Sequence, residues 1–155
     1  MKYKKHFAIF VVVILFFVSF GFYLENEKST TVTIARVMDG DTVELANGKR
    51  IRLLGIDAPE KGKFFYYSSK NKLEELIEGK RVSLEKDVTN KDSFGRLLRY
   101  IFIDDVFVNE EMVRSGYATV YIVNPDTKYS DRLLEAEDEA RTSKSGVWKY
   151  RSYGS

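Results

Sequence analysis

Val37 to Glu60 reads VMDGDTVELANGKRIRLLGIDAPE, and the way this stretch folds back on itself decides the rest of the chain. Thr42 to Ala46 and Lys49 to Ile56 are rich in Val, Leu, Ile and Thr. Between them lies Asn47-Gly48, the strongest short-range signal for a β-hairpin. A two-residue turn sets Val43 opposite Arg52 and Leu45 opposite Arg50. Strand alternation then brings Asp41, Val43, Arg52 and Leu54 to one face, with Asp41 and Arg52 as diagonal neighbours. A three-residue turn breaks that register and puts Asp41 and Arg52 on opposite faces. The second run ends at Asp57-Ala58-Pro59-Glu60, because Pro59 has no amide hydrogen for a ladder and holds Ala58 extended. Three carboxylates (Asp41, Asp57, Glu60) and Arg52 therefore sit on or beside a single hairpin.

Outward from the hairpin, Thr31 to Met38, Arg81 to Glu85 and Leu97 to Ile103 are further strand-like runs bounded by Gly, Asp or Asn. Asp104-Asp105 is a weaker turn signal, with Val106 to Val108 as a short return strand. Phe65, Ser69, Leu73, Leu76 and Ile77 form a helical stripe that Gly79 stops. A second helix is expected from Asn109 to Gly116, with Glu110 and Glu111 complementing its dipole. A third follows Asn124-Pro125, carrying Tyr129, Leu133, Ala136 and Ala140 at helical spacing before Gly146 and Trp148. Roughly five strands with helices between and after them predict an α+β domain, mainly a small closed or nearly closed β barrel.

With 155 residues, 44% of them hydrophobic, the chain can bury one core of ordinary size. The formal charge is +2, but three lysines and no acid lie in the first 24 residues, leaving 22 basic against 23 acidic residues elsewhere. Attraction to a polyanion must then come from a local patch rather than a global field. There is no cysteine, which removes disulfides, thiolate metal sites and thiol nucleophiles together. The only histidine, His6, precedes the domain, which excludes imidazole bases, Ser-His-Asp triads and the usual zinc ligand sets.

Lys2, Lys4 and Lys5 are followed by Phe7 to Leu24, an apolar run broken only by Ser19 and Gly21. Residues 1–24 read as a signal peptide, with Ser19 and Gly21 at cleavage positions, or as a membrane anchor tethered through residues 7–24. Residues 25–30 read as a linker and 31–150 as the domain, secreted or held outside the cytoplasm.

Asp41, Asp57 and Glu60 offer only hard oxygen ligands, which suit calcium, magnesium or manganese rather than zinc or copper. An EF-hand counted from Asp39 fails, since its sixth position is Glu44 instead of Gly and its twelfth is Arg50 instead of Glu. Taken singly, each carboxylate is a solvated turn residue more often than a ligand, and Arg52 a structural ion-pair partner. Their grouping with Arg96, which follows Gly95 at the entry to a strand, is what departs from chance. Two arginines and a hard cation are what a phosphodiester transition state needs, because negative charge accumulates on its equatorial oxygens.

The segments VMDGDTVEL, IRLLGIDAPE, DSFGRLLRYIF, VNEEMVRSGYATVY and GVW, in this order and spacing, resemble the staphylococcal (micrococcal) nuclease family from about Thr31 to Trp148. The resemblance implies an OB-fold barrel of five strands with about three helices, and calcium-dependent cleavage of DNA and RNA to 3'-phosphorylated products. It implies that Asp41, Asp57 and the carbonyl of Ala58 hold calcium, that Glu60 orients or deprotonates the attacking water, and that Arg52 and Arg96 stabilise the phosphate. Ala58 stands where the family has Thr, and Ser93-Phe94 stand where the prototype has a Lys-Tyr pair that holds a terminal phosphate. Tyr121 is the counterpart of one of two tyrosines lining the prototype's nucleotide pocket; packing in the barrel is its alternative role. The rival function is a non-catalytic OB-type module that binds nucleic acid at the cell surface. With no heptad pattern in the chain, a monomer without a protein partner is expected.

Overall fold

The computed structural model describes residues 30–151, so the apolar leader and residues 25–29 of the linker lie outside the described residues. Strand β1 (Thr30–Asp39) turns at Gly40-Asp41 into β2 (Thr42–Leu45), which returns as β3 (Arg50–Leu53). A further turn leads to the two-residue β4 (Ile56–Asp57), followed by α1 (Tyr66–Ile77) and β5 (Arg81–Glu85). Then come β6 (Leu97–Ile103), β7 (Val106–Phe107), α2 (Val108–Arg114) and β8 (Thr119–Val120). The described chain ends with α3 (Ser130–Thr142) and α4 (Trp148–Arg151).

β1 pairs antiparallel with β2 and β5, β2 with β3, and β5 with β6. A parallel pairing of β3 with β6, Ile51 beside Leu97 and Arg52 beside Leu98, closes the ring. The result is a closed five-stranded mixed barrel with helices around it, an OB-like α+β fold.

Ile34, Val37, Val43, Ile51, Leu53, Val82 and Ile101 fill the barrel, each no more than 1% exposed. Full burial of such side chains is worth about 1.5–3 kcal/mol apiece. Ile34 and Val37 are an odd number of residues apart, so plain alternation would point one of them outward. The register shift between Ile34 and Arg36 turns both inward. Leu73 and Ile77 of α1 and Leu133, Ala136 and Ala140 of α3 bury the helices' inner faces. Asn109 of α2 is fully buried: its Oδ1 accepts the Ile101 amide at 3.0 Å and its Nδ2 donates to the Leu54 carbonyl at 2.8 Å.

The central hairpin differs from the expected two-residue turn. Its loop is Ala46-Asn47-Gly48, with the Leu45 amide on the Lys49 carbonyl and the Gly48 amide on the Leu45 carbonyl, both at 2.9 Å. Gly48 takes φ 76° and Arg52 faces Thr42, not Val43. Asn-Gly serves here as the end of a tight turn followed by a left-handed residue, the three-residue alternative to a two-residue loop. The face argument for Asp41 and Arg52 therefore fails, yet the pair still meets. Asp41 belongs to the turn before β2, outside the pleat, so strand alternation does not govern its side chain.

The run expected to continue through Ile56 stops at Leu53, because Gly55 turns left-handed at φ 74° and the chain re-enters as β4 against β8. Phe65 is not part of the helical stripe. It sits just before α1 at φ 71°, a conformation costing a non-glycine residue roughly 1–2 kcal/mol. Tyr129 likewise precedes α3. The helix expected from Asn109 begins one residue earlier, at Val108.

Candidate active site

The guanidinium of Arg52 emerges from β3 with its side chain only 13% exposed and ties three elements together. Its Nη1 donates to the carbonyls of Leu53 at 2.8 Å and Ile56 at 2.7 Å, which staples the Leu54-Gly55 turn. Its Nη2 lies 2.9 Å from Asp57 Oδ1 and 3.1 Å from Asp41 Oδ2, so one nitrogen holds two carboxylates.

Asp41 is 7% exposed. Its Oδ2 accepts the Ala58 amide at 2.8 Å and its Oδ1 the Thr42 hydroxyl at 3.0 Å. Burial pushes the carboxyl up to about 6, against the pull of Arg52 and the Ala58 amide, with the charge of Asp39 adding to the rise. Asp57, at the end of β4, has half its side chain in water.

Arg96 comes from the other side of the barrel closure, and Asp92 positions it. Asp92 accepts the Arg96 amide at 2.9 Å and its Nε at 2.7 Å. Burial works to raise the Asp92 carboxyl, but hydrogen bonds from Arg96, its charge and the Phe94 amide hold it below its usual value. Arg96 Nη1 reaches Thr42 Oγ1 at 3.4 Å, and Thr42 in turn bonds Asp41. Thr42 faces Arg52 across β2 and β3, so it lies between the two arginines.

Sequence reasoning passed over both Thr42 and Asp92. Their only sequence signals are a polar residue opening a buried strand and an Asp set just before a Gly-Arg turn. Asp41, Arg52, Asp57 and the Ala58 amide are in direct contact, and Arg96 joins them through Thr42. Glu60 and Tyr121 each share cleft space with Arg96.

Glu60 is exposed and lines two clefts. The first, of about 630 Å³, holds Arg96, Lys91, Lys49, Arg50 and Phe94. The second, of about 460 Å³, starts from Asp57, Ala58 and Glu60 and runs under aromatic rings. Tyr121 lies elsewhere, in a cavity of about 380 Å³ shared with Arg52, Arg96 and Lys91. At 59% exposed, with its amide on the Gly55 carbonyl at 2.9 Å, it is not a barrel-packing residue.

For a cation, the donors available are hard oxygens. Among the described residues no three His, Cys, Asp or Glu side chains cluster as a metal site. An ion held by Asp41 and Asp57 would draw its remaining ligands from backbone carbonyls and water, a donor set that suits calcium or magnesium. The two carboxylates already converge on a single positive group, the Nη2 of Arg52.

Residues 50–150 match the family described as staphylococcal nuclease homologue. The thermonuclease of Staphylococcus intermedius is 30% identical over 156 residues, covering 92% of this chain and 93% of that protein. The thermonuclease of Staphylococcus hyicus is 29% identical over 134 residues, covering 81% and 79% respectively. Endonuclease YncB of Bacillus subtilis is 33% identical over 139 residues. That match covers 83% of this chain but 66% of the relative, so the chain spans just under two thirds of that protein's length. Since the family match takes in well over half of its residues, the chain belongs to the staphylococcal nuclease family.

Proposed function

We propose that the chain is a metal-dependent nuclease that hydrolyses phosphodiester bonds of DNA and RNA, with calcium as the cation, leaving 3'-phosphorylated products. One observation carries this reading. Arg52, shared by Asp41 and Asp57, and Arg96, linked to them through Thr42, approach one another across the barrel closure.

Glu60 takes a proton from water, whose oxygen attacks phosphorus in line with the departing 5'-oxygen. The bond from phosphorus to that oxygen breaks, and the oxygen takes up a proton from solvent. Arg52 is anchored through Nη1 on the Leu53 and Ile56 carbonyls, and its Nη2, shared by Asp41 and Asp57, is the end that would turn to a phosphate oxygen. Arg96, held by Asp92, donates from the opposite side. Calcium bound by Asp41, Asp57 and the carbonyl of Ala58 would supply positive charge against the phosphate. Tyr121, exposed beside both arginines, lines the space for the nucleotide.

The chain is incubated with single-stranded DNA in calcium or in chelator, beside Arg96→Ala. Cleavage in calcium alone is expected, slowed ~10²- to 10³-fold by the substitution. Cleavage that persists in chelator, or that ignores Arg96→Ala, refutes the mechanism. Tight binding without cleavage identifies the non-catalytic module instead.

The basic residues before the apolar run support the further proposal that the domain lies outside the cytoplasm. The mass of the exported protein tests this: loss of the first ~20 residues, a usual signal-peptide length, excludes a permanent anchor.

A further inference from the structure

Glu60 stands between two unlike clefts. On one side lie the cations Lys49, Arg50, Lys91 and Arg96. On the other the lining is aromatic, with Phe64, Tyr117 and Tyr150 around a space that opens directly onto Asp57 and Glu60.

Phe64 is 63% exposed and Tyr150 50% exposed, their ring centroids 5.1 Å apart and edge-on. Behind them Phe65 stacks on Tyr117 at 5.4 Å and lies 6.2 Å from Tyr150, which braces the outer pair against the body of the domain. The left-handed backbone at Phe65 sends two consecutive rings into this cluster instead of continuing the helix outward. Packing explains Phe65 and Tyr117. It does not explain why the outer two rings stand in water at the edge of the catalytic carboxylates.

The chemistry of the lining selects the occupant. Among the described residues Lys63 is the one cation lining the aromatic side, so beyond the scissile phosphate that side offers little to hold a phosphate backbone. Phosphates belong on the opposite side, among the four cations that include Arg96. A strand whose backbone follows those cations past Glu60 turns its bases toward the rings, and flat aromatic faces are what unpaired bases stack on. Resting on the nuclease reading above, we propose that Phe64 and Tyr150 form a base-stacking subsite for an unpaired nucleotide adjoining the scissile phosphate, on the side of Glu60 away from Arg96.

The test uses the full chain and single-stranded octanucleotides that carry one abasic residue at successive positions. Stacking on an aromatic ring contributes enough that Phe64→Ala and Tyr150→Ala raise KM roughly 5- to 100-fold, with kcat unchanged within about twofold. An abasic residue at one position raises the unsubstituted chain's KM by the same factor and erases the effect of the substitutions. Phe64→Leu keeps the apolar volume without the flat ring and shows the loss too, which separates stacking from collapse of the loop. Tyr67→Ala, an exposed ring outside the cleft, changes nothing.

The subsite is overturned if both alanine variants keep the parental KM, or if every abasic position costs the same. It is also overturned if the variants change only the oligomeric state on gel filtration, which gives the cleft to a second copy of the chain. Anisotropy of a fluorescein-labelled oligonucleotide in chelator repeats the comparison without cleavage. A chain that does not cut but shows the position-dependent loss sinks the nuclease reading and keeps the subsite. A chain that cuts without that loss does the reverse, and one that neither cuts nor binds removes both.

Discussion

Asp41→Asn is expected to make the protein more stable and inactive at once. The carboxyl of Asp41 is raised from 3.8 to about 6, chiefly by burial, so the folded state holds that proton more tightly than the unfolded chain does. A raised carboxyl contributes its stability below the unfolded value and loses it as pH rises through the folded one. At ~1.4 kcal/mol per unit, the shift makes the ionised form cost about 3 kcal/mol at neutral pH. Asparagine removes the charge and keeps the hydrogen bonds: its oxygen still accepts the Ala58 amide and faces Arg52, while its amide nitrogen donates to Thr42 Oγ1.

The assay is urea unfolding of both chains in chelator from pH 4 to pH 8. Acids that do not interact with position 41 titrate alike in the two proteins, so the difference reports Asp41 together with its coupling to Asp39. Near pH 4 the two curves should lie close together. Between pH 4 and 6 the parental chain should lose ground, and above 6 the gap should settle at about 2–3 kcal/mol in favour of the variant. A variant less stable than its parent at pH 8, or a gap independent of pH, would refute the reasoning. The expected loss of cleavage in calcium marks Asp41 as a residue kept at the expense of stability.

Asn109→Ala leaves the buried Ile101 amide and Leu54 carbonyl without partners and should cost about 2–5 kcal/mol in urea unfolding; a loss below about 1 kcal/mol contradicts the bonding described. Gly55→Ala sets a Cβ 2.4 Å from a methyl of the fully buried Leu133 at a left-handed φ of 74°. A fall in Tm equivalent to about 2 kcal/mol or more is expected by calorimetry, and an unchanged Tm would remove the strain argument. Glu60→Gln should lower kcat by ~10²-fold or more while leaving oligonucleotide binding in chelator within about twofold, whereas parallel losses in both would make Glu60 a structural residue.

The strands whose pattern is purely local were readable from the residues. Arg81–Glu85 and Leu97–Ile103 have the expected ends, because apolar alternation stops at charged or turn residues. The hairpin loop was misjudged because Asn-Gly fits both a two-residue and a three-residue connection, and only the pairing of Thr42 with Arg52 tells them apart. The break at Gly55 hid inside an apolar run, since β4 owes its existence to β8, far along the chain. Within the site, Asp41, Arg52, Asp57, Arg96 and Glu60 carry charge in a short pattern and stand out. Thr42 and Asp92 do not, for they act by positioning other residues. The cluster of Phe64, Tyr117 and Tyr150 joins three distant segments, and no local periodicity announces a contact of that kind.

The parallel contact between β3 and β6 joins segments separated by the whole of α1 and β5, while every other pairing in the ring is antiparallel. Closing so long a loop costs entropy, and we expect it among the late steps of folding. Arg52 lies on one side of this closure and Arg96 immediately precedes the other, so the two meet only when it forms. Before that moment the chain has its strands but no paired arginines and is chemically silent. The proposed hydrolytic power is thus timed to the completion of the fold, and an unfinished or locally opened molecule poses no hazard to nucleic acid around it.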